Sequence, residues 1–427
     1  MICRGCGNPE LSVFLDLGAQ PIANALLTSD QGSEVFHPLK AMLCDRCLLV
    51  QLGHRVSPEE LFADRYPYFS SQSATFVEHA RDFVEQTCDR FGLTEESLVV
   101  EIASNDGYLL QHVMALGIRC YGIEPAEEQA KMAITNGIPT LVKFFDANLV
   151  CDTLLPNAAG EFEVKGDLTR KADLIIANNV LAHVPELHSF LQGVRLLLAK
   201  QGVFTVEVQW LHDLVEGCEV GQVYHEHFSY FLLHSLEYAL GLTNIPMRVF
   251  DVELLPEIHG GSMRIYACHE DAEHVTQDSV GEMRRFEDEW LSNDPLRHFG
   301  ARAAALKLAI WEFLIEEHRA RHLVVGYAAA AKAAGLLSWA GITAELLPFV
   351  VDTTPAKQGT FLPGSRIPIV EPERLTVDQP DTVWILAPNH VGEIVPKLRE
   401  QCKWKPYLTW QDGCGVNPRT RVVNPDA

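Results

Sequence analysis

The chain has 427 residues, too many for one ordinary core, so two to three domains are expected. Its apolar content of 47% suits globular burial throughout, while a formal net charge of −23 argues against DNA or RNA as partner, because phosphate neutralisation needs a basic face. A small phosphorylated ligand stays open, since one or two placed Arg or Lys side chains and a few backbone N–H groups hold a diphosphate whatever the global charge.

The start, MICRGCGNPELSVFLDL, has no basic segment leading into an apolar one, and no stretch reaches the roughly eighteen uninterrupted apolar residues of a membrane helix. A soluble cytoplasmic protein without membrane or nucleic-acid partners is expected. Cys3, Cys6, Cys44 and Cys47 form two C-x2-C pairs flanking a helix-poor segment. Each pair can direct both sulfurs at one metal from a tight knuckle, and two pairs complete a tetrahedral thiolate site with no open position, so a structural zinc is expected. The plainer alternatives are four ordinary thiols or two disulfides. Cys88, Cys120, Cys151, Cys218, Cys268, Cys402 and Cys414 show no pairing pattern, as suits a reducing compartment.

Residues 1 to about 60 read as short strands and turns around the knuckles. After Tyr66-Pro67-Tyr68-Phe69-Ser70-Ser71 a helix is predicted from about Thr75 to Phe91, with Ser70, Ser71 and Ser73 as candidate caps. From Leu98 short apolar runs alternate with helices. LVVEIA, RCYGIEP, TLVKFF, ADLIIANNV and VFTVEVQW read as strands, and GYLLQHVMALG and AEEQAKMAITNG as helices. That alternation predicts a parallel, doubly wound α/β sheet. The polar stretch from Asn157 to Lys171 reads as a surface insertion. EMRRFEDEW and FGARAAALKLAIWEFLIEEHR are long helical patterns leading to a second α/β unit built from HLVVGYAAAAKAAGLLSWAGI, LLPFVVDTTPAKQG, IPIV and TVWILAP. The resulting division is a zinc-binding module over 1–65, a central Rossmann-like domain over 66–250 and a second Rossmann-like domain over 251–427.

The turn Glu101-Ile102-Ala103-Ser104-Asn105-Asp106-Gly107-Tyr108 ends the first strand of the central sheet and opens its first helix, where an open α/β sheet binds ligands. It lacks the G-x-G-x-x-G that cradles a dinucleotide pyrophosphate, which favours a ligand without phosphates. The second strand ends Gly122-Ile123-Glu124-Pro125, and a carboxylate at that tip is placed to accept both hydroxyls of a ribose. Together these resemble the class I S-adenosylmethionine (SAM) methyltransferases. The resemblance implies that Glu101, Ser104, Asn105, Gly107 and Glu124 hold the cofactor, with Tyr108, Asn178 and Asn179 beside them.

Tyr224-His225-Glu226-His227-Phe228-Ser229-Tyr230-Phe231 is the densest run of proton-handling side chains and follows the fifth strand; His183 follows the fourth. Any one of these histidines alone reads as a satisfied structural residue. Clustered at one sheet edge, they supply what methylation at carbon needs: a base to remove a proton next to a carbonyl, and a donor to stabilise the enolate.

The segments CRGCG, FLDLGAQPIAN, CDRC, YPYFSSQS, EIASNDGYLL, GIEPA, NNVLAHV, YHEHFSYF, HGGSMRIY, GYAAAAKAAGLL, DTTPAKQGTFLPGSRIPI and WILAPNHVGEI, in this order along nearly the whole chain, resemble the nucleotide-sugar C-methyltransferases, such as the 3-C-methyltransferases of dTDP-4-keto-6-deoxyhexoses. The resemblance implies His227 as the base, Tyr224 as the enolate's partner, Glu226 as orienting the pair and His183 as assisting. Tyr66 and Tyr68 would border the sugar and the methyl donor, with Tyr68 among the catalytic groups and His225 near the substrate. The second α/β unit would bind the nucleotide. His259, Ser262 and Arg264 form a glycine bend flanked by a donor and a guanidinium suited to a diphosphate, with Tyr327 and Lys332 adding to it. HGGS also reads as a simple hairpin turn with Arg264 in a surface ion pair. The expected activity is SAM-dependent C-methylation of an NDP-4-keto-deoxysugar by a monomer, and the alternative is O- or N-methylation of another small metabolite.

Overall fold

The computed structural model describes residues 1–30, 33–57, 61, 69–154, 170–242, 244, 246–256, 258, 260–416 and 420–421. The N-terminal module contains β1 (Leu11–Pro21), β2 (Phe36–Cys44) and β3 (Val50–Leu52) in an antiparallel sheet. Helix Ala74–Arg90 follows, begun as expected by Ser73, whose hydroxyl accepts from the Phe76 amide at 3.3 Å.

The central domain holds β4 (Leu98–Ile102), β5 (Arg119–Ile123), β6 (Thr140–Leu141), β7 (Ala172–Asn178) and β8 (Leu198–Gln209). Next come β9 (Ser229–Tyr230), β10 (Met247–Leu255) and β11 (Ser262–His269). Seven of these strands form one sheet in the order β10-β11-β8-β7-β4-β5-β6, parallel from β8 to β6, with β10 and β11 antiparallel. All five residues of β4 are buried, which is why it reads as an unbroken apolar run with a single carboxylate. Chain crossovers leave β4 in opposite directions towards β5 and β7, so the carboxyl ends of these strands open a crevice there.

Two expectations change. The boundary at 250 falls inside β10, and the β10–β11 hairpin pairs with β8, so the central sheet runs to His269 and Ser262 and Arg264 belong to it. TLVKFF supplies only the two residues of β6, because the chain turns off the sheet edge before Asp146 caps a short helix through the Leu149 amide at 2.7 Å. The insertion predicted around 157–171 lies largely outside the described residues.

Strand β9 leaves the central sheet and joins the module, pairing antiparallel with β3 so that Val50 faces Tyr230. The Arg4 guanidinium clamps this splice by donating to the Phe228 carbonyl at 2.5 Å and the Leu52 carbonyl at 3.0 Å.

Helix Pro295–Arg319 starts with proline at its first turn and buries Leu296, Phe299, Ala303, Leu306, Ile310 and Leu314 at three- and four-residue spacing. Phe299 stacks on Phe14 of β1 with ring centres 4.7 Å apart, which fixes the helix against the module. The C-terminal domain then adds β12 (Val324–Tyr327), β13 (Val350–Val351), β14 (Ile369–Val370), β15 (Thr382–Ile385), β16 (Tyr407–Asp412), β17 (Gly415–Val416) and β18 (Thr420–Arg421). Its strands β14-β13-β12-β15-β16 run parallel, the second Rossmann-like sheet that the sequence pattern predicts. The module bridges to this domain as well, through backbone pairing of Leu27 with Phe361 and a hydrogen bond from Ser338 to Gln20 at 2.7 Å.

Candidate active site

The two cysteine knuckles repeat one backbone design. The Cys3 amide donates to the Asn8 carbonyl and the Gly7 amide to the Cys3 carbonyl; the Cys44 amide donates to the Leu49 carbonyl and the Leu48 amide to the Cys44 carbonyl. Gly7 and Leu48 both take positive φ, 72° and 59°, which curls each knuckle back on itself. The sulfurs of Cys3, Cys6, Cys44 and Cys47 lie within 4.8 Å of one another, a donor set that fits tetrahedral zinc.

At the carboxyl end of β4 the backbone is forced through three left-handed residues, Ala103, Asn105 and Gly107. Such strain in non-glycine residues is retained where a site needs it. At Gly107 φ is +82° and a Cβ would lie 2.3 Å from Ile138 Cδ1, so a side chain there would be strained and would have to displace Ile138. Glu124, just beyond β5, shapes the turn: its carboxylate accepts from the Asn105 amide at 2.9 Å and the Ala126 amide at 2.7 Å. Ser70 and Ser71 amides in turn reach the Asn105 and Asp106 side chains at 2.9 Å and 3.2 Å. Tyr108 is buried and stacks on Phe76 with ring centres 5.2 Å apart.

Around this turn, buried polar atoms lack protein partners among the described residues: Glu101 Oε2, Ser104 Oγ, Asp106 Oδ1 and Asn178 Oδ1. Burial, followed by the neighbouring Glu124 and Asp106 carboxylates, holds the Glu101 carboxyl well above its ordinary range. Three carboxylates around one crevice with open hydrogen-bonding positions fit a cationic ligand that brings its own donors, as SAM does with its ammonium and ribose hydroxyls.

Beside this crevice Glu207 of β8 is fully buried. Burial alone would raise its pKa, but His79 at 2.9 Å, Arg264 at 2.5 Å and Asn179 at 3.0 Å hold it down to about 2. Arg264 also donates to Glu253 at 3.0 Å and lies over the Phe83 ring. The glycine bend is thus a hairpin turn, as the plainer reading has it, yet the Arg264 ion pair is buried under the helix Ala74–Arg90 and is not on the surface. A guanidinium so committed does not present itself to a diphosphate. Ser262 donates to the Ile258 carbonyl within the same turn at 3.1 Å.

The tyrosine–histidine run divides its side chains between two neighbours. Tyr224 and His227 face each other, the phenol donating to His227 Nε2 at 2.9 Å. His227 Nδ1 lies 3.1 Å from the Gln222 carbonyl; a carbonyl only accepts, so Nδ1 carries the hydrogen and Nε2 the lone pair. The His183 ring stands edge-on to His227 with centres 4.8 Å apart. His183 is carried there by the Leu181–His183 turn, whose Ala182 carbonyl accepts from the Phe228 amide at 2.7 Å.

The intervening residues face the zinc module. Asn24 donates to the Glu226 carboxylate at 2.6 Å, and His225 Nε2 meets the His37 carbonyl at 3.3 Å. The structure therefore assigns the orientation of His227 to Gln222, while Glu226 and His225 anchor the loop to the module. Burial, with His37 and His54 nearby, lowers the His225 pKa to about 4, and burial raises that of Glu226 to about 7.

An acid whose folded pKa stands above its ordinary 4.5 stabilises the fold below that value and loses this contribution as pH rises through about 7. Glu226→Gln is expected to flatten the stability profile between pH 4.5 and 7 and to gain up to about 3 kcal/mol over the unmodified chain at pH 8. Denaturant melts of both proteins across that range check it, and parallel profiles would contradict it.

In the C-terminal domain Tyr327 is buried at the end of β12, while Lys332 reaches Asn389 and is lowered to about 8 by burial. The Lys332 carbonyl, in the helix Ala331–Ala340, packs against Gly221, where a Cβ would lie 2.5 Å away, so that helix abuts the segment bearing Gln222. Tyr66, Tyr68 and His259 lie outside the described residues. Sequence reading passed over the Gln222 carbonyl, which no side-chain motif signals, and the Glu207–His79–Arg264 network, whose members are far apart in the chain.

Comparisons with known proteins match three stretches of the chain. Residues 3–62 match a zinc binding domain, 76–244 a methyltransferase domain and 257–409 the C-methyltransferase C-terminal domain. C-methyltransferase NovU of Streptomyces niveus is 34% identical over 402 residues, covering 93% of this chain and 92% of that protein. Among solved structures, magnesium protoporphyrin IX methyltransferase from Synechocystis with bound SAH aligns at 15% identity, TM-score 0.34, over 45% of this chain and 84% of that one. A SAM-dependent methyltransferase from Clostridium acetobutylicum aligns at 12% identity, TM-score 0.34, over 45% of this chain and 92% of that one.

Proposed function

Because this chain belongs to the C-methyltransferase family, we propose that its acceptor is an NDP-4-keto-deoxysugar, dTDP-linked, methylated at C3 through an enolate. Its activity is SAM-dependent C-methylation, with SAM and a structural zinc as cofactors. No helix among the described residues is long and apolar enough to cross a membrane.

The observation that carries the proposal is the His227 geometry. With Nδ1 pinned by the Gln222 carbonyl, Nε2 carries the lone pair, and the Tyr224 hydroxyl on it is a donor ready to be handed to a ligand oxygen. As the keto oxygen takes the Tyr224 hydrogen bond, Nε2 is released to accept the proton from the neighbouring carbon, and the phenol stabilises the negative oxygen that forms. His183, edge-on to the base, limits how the ring can turn. SAM supplies the electrophilic methyl when bound; Glu101, Ser104, Asn105, Gly107, Glu124 and the Asn178–Asn179 pair would hold it.

A nucleotide on the acceptor is supported by the second Rossmann-like unit. Asp352, beyond β13, accepts from the Ala329 and Thr354 amides at 2.8 Å each, the same device by which Glu124 ties Asn105 to Ala126. An acid at that strand tip is the usual ribose partner.

The test is mass spectrometry of the protein with dTDP-4-keto-6-deoxyglucose in deuterated water. Without SAM, one deuterium should enter the carbon next to the ketone; with SAM, one methyl should be gained there. Measurable SAM binding with neither exchange nor methyl gain across a panel of keto-sugars would end this reading and favour O- or N-methylation of another metabolite.

A further inference from the structure

Gln209 is the last residue of β8, at the carboxyl edge that carries the crevice. Side chains alternate along a strand, so Gln209 lies on the face of Glu207 and Thr205, under the helix Ala74–Arg90. Its neighbours on that face are satisfied: Thr205 donates to the Ile175 carbonyl at 3.5 Å, and Glu207 has three partners. Gln209 differs, because both Nε2 and Oε1 are shut off from water and have no hydrogen-bond partner among the described residues.

Its backbone is firmly placed. Ser262 of β11 pairs with it on one side, and the following Trp210 bridges to Phe231 at the end of the tyrosine–histidine run. Trp210 is itself held by its indole N–H to the buried Glu287 at 2.9 Å. A rigidly mounted carboxamide with both a donor and an acceptor unused is costly unless a ligand uses them. A ring hydroxyl matches both at once, donating to Oε1 or accepting from Nε2.

We propose that Gln209 is a specificity-determining residue that reads the C2 hydroxyl of the acceptor sugar, next to the carbon that is methylated. This rests on the keto-sugar reading above. A site built to pair with a hydroxyl discriminates strongly against an analogue lacking it, because its own polar groups are then left buried and unpaired.

The experiment compares kcat/KM for dTDP-4-keto-6-deoxyglucose and its 2-deoxy analogue in the unmodified enzyme and in Gln209→Met, with SAM affinity by calorimetry as a control. The unmodified enzyme is expected to prefer the hydroxylated sugar at least tenfold. Gln209→Met should narrow that ratio to within about threefold, mainly through KM, and leave the SAM Kd unchanged. Gln209→Glu, which keeps the acceptor and loses the donor, should fall between the two and serves if the Met variant does not fold. An unchanged ratio in the variants, a preference of the unmodified enzyme for the 2-deoxy sugar, or a weakened SAM Kd would each overturn the assignment while leaving C-methylation standing. Turnover of neither sugar by the unmodified enzyme would instead overturn the keto-sugar reading, and this assignment with it.

Discussion

Replacing His227 by Ala should lower methyl transfer by about 10²–10⁴-fold and remove solvent exchange at the acceptor carbon, while SAM binding persists. The ring presents its lone pair through fixed partners, with the Gln222 carbonyl on one nitrogen and the Tyr224 hydroxyl on the other. Tyr224→Phe keeps that lone pair and loses the donor to the enolate oxygen, so exchange and methylation should both fall, by roughly 10–10³-fold. Following exchange without SAM separates the two roles, since it reads proton removal apart from methyl transfer. A His227→Ala protein that keeps its fold and still exchanges within tenfold of the unmodified rate would remove His227 as the base.

Loss of the metal should be the more drastic change. Structural zinc sites of four thiolates contribute apparent binding energies of about 10–16 kcal/mol, which in small modules is folding energy. Cys44 is fully buried at the end of β2, so Cys44→Ser leaves a weak ligand in the core and is expected to abolish stoichiometric zinc and to unfold the module. The damage should reach the active site, since Asn24 holds Glu226, the His37 carbonyl meets His225, and β3 carries β9. Elemental analysis, hydrogen exchange of residues 224–231 and turnover check this together. A zinc-free Cys44→Ser protein with full activity and a protected 224–231 segment would show that the module is dispensable to the loop.

Much of this was legible in the chain. Strands buried on both faces, such as β4 and β7, read as unbroken apolar runs, and the helix Ala74–Arg90 ahead of them carried a recognisable serine cap. The domain boundary did not, because β10 and β11 form an antiparallel hairpin whose local pattern resembles the opening of a new unit; only pairing with β8 reveals where it belongs. The same long-range effect hid the fate of Arg264. A guanidinium near two glycines suggests an anion site, and only the fold brings Glu207 beneath it. In the YHEH run the residue types were readable but their division was not. Whether Glu226 turns towards His227 or towards Asn24 depends on a backbone path fixed by a strand far upstream.

That path has a consequence for how the protein is made. The module's edge strand receives Tyr230 opposite Val50, Arg4 seals against the Phe228 carbonyl, and Leu27 pairs with Phe361. At a synthesis rate of ~5–20 residues per second, the first-made part of the chain therefore waits on the order of ten seconds or longer for partners still to be translated. Until then an open β edge and the apolar face beneath it stay uncovered, which is the situation that invites strand pairing between nascent chains. Early metal capture by the knuckles would shorten the list of conformations available during that wait, so recovery of soluble protein should depend on zinc supply during expression more steeply than on zinc added afterwards.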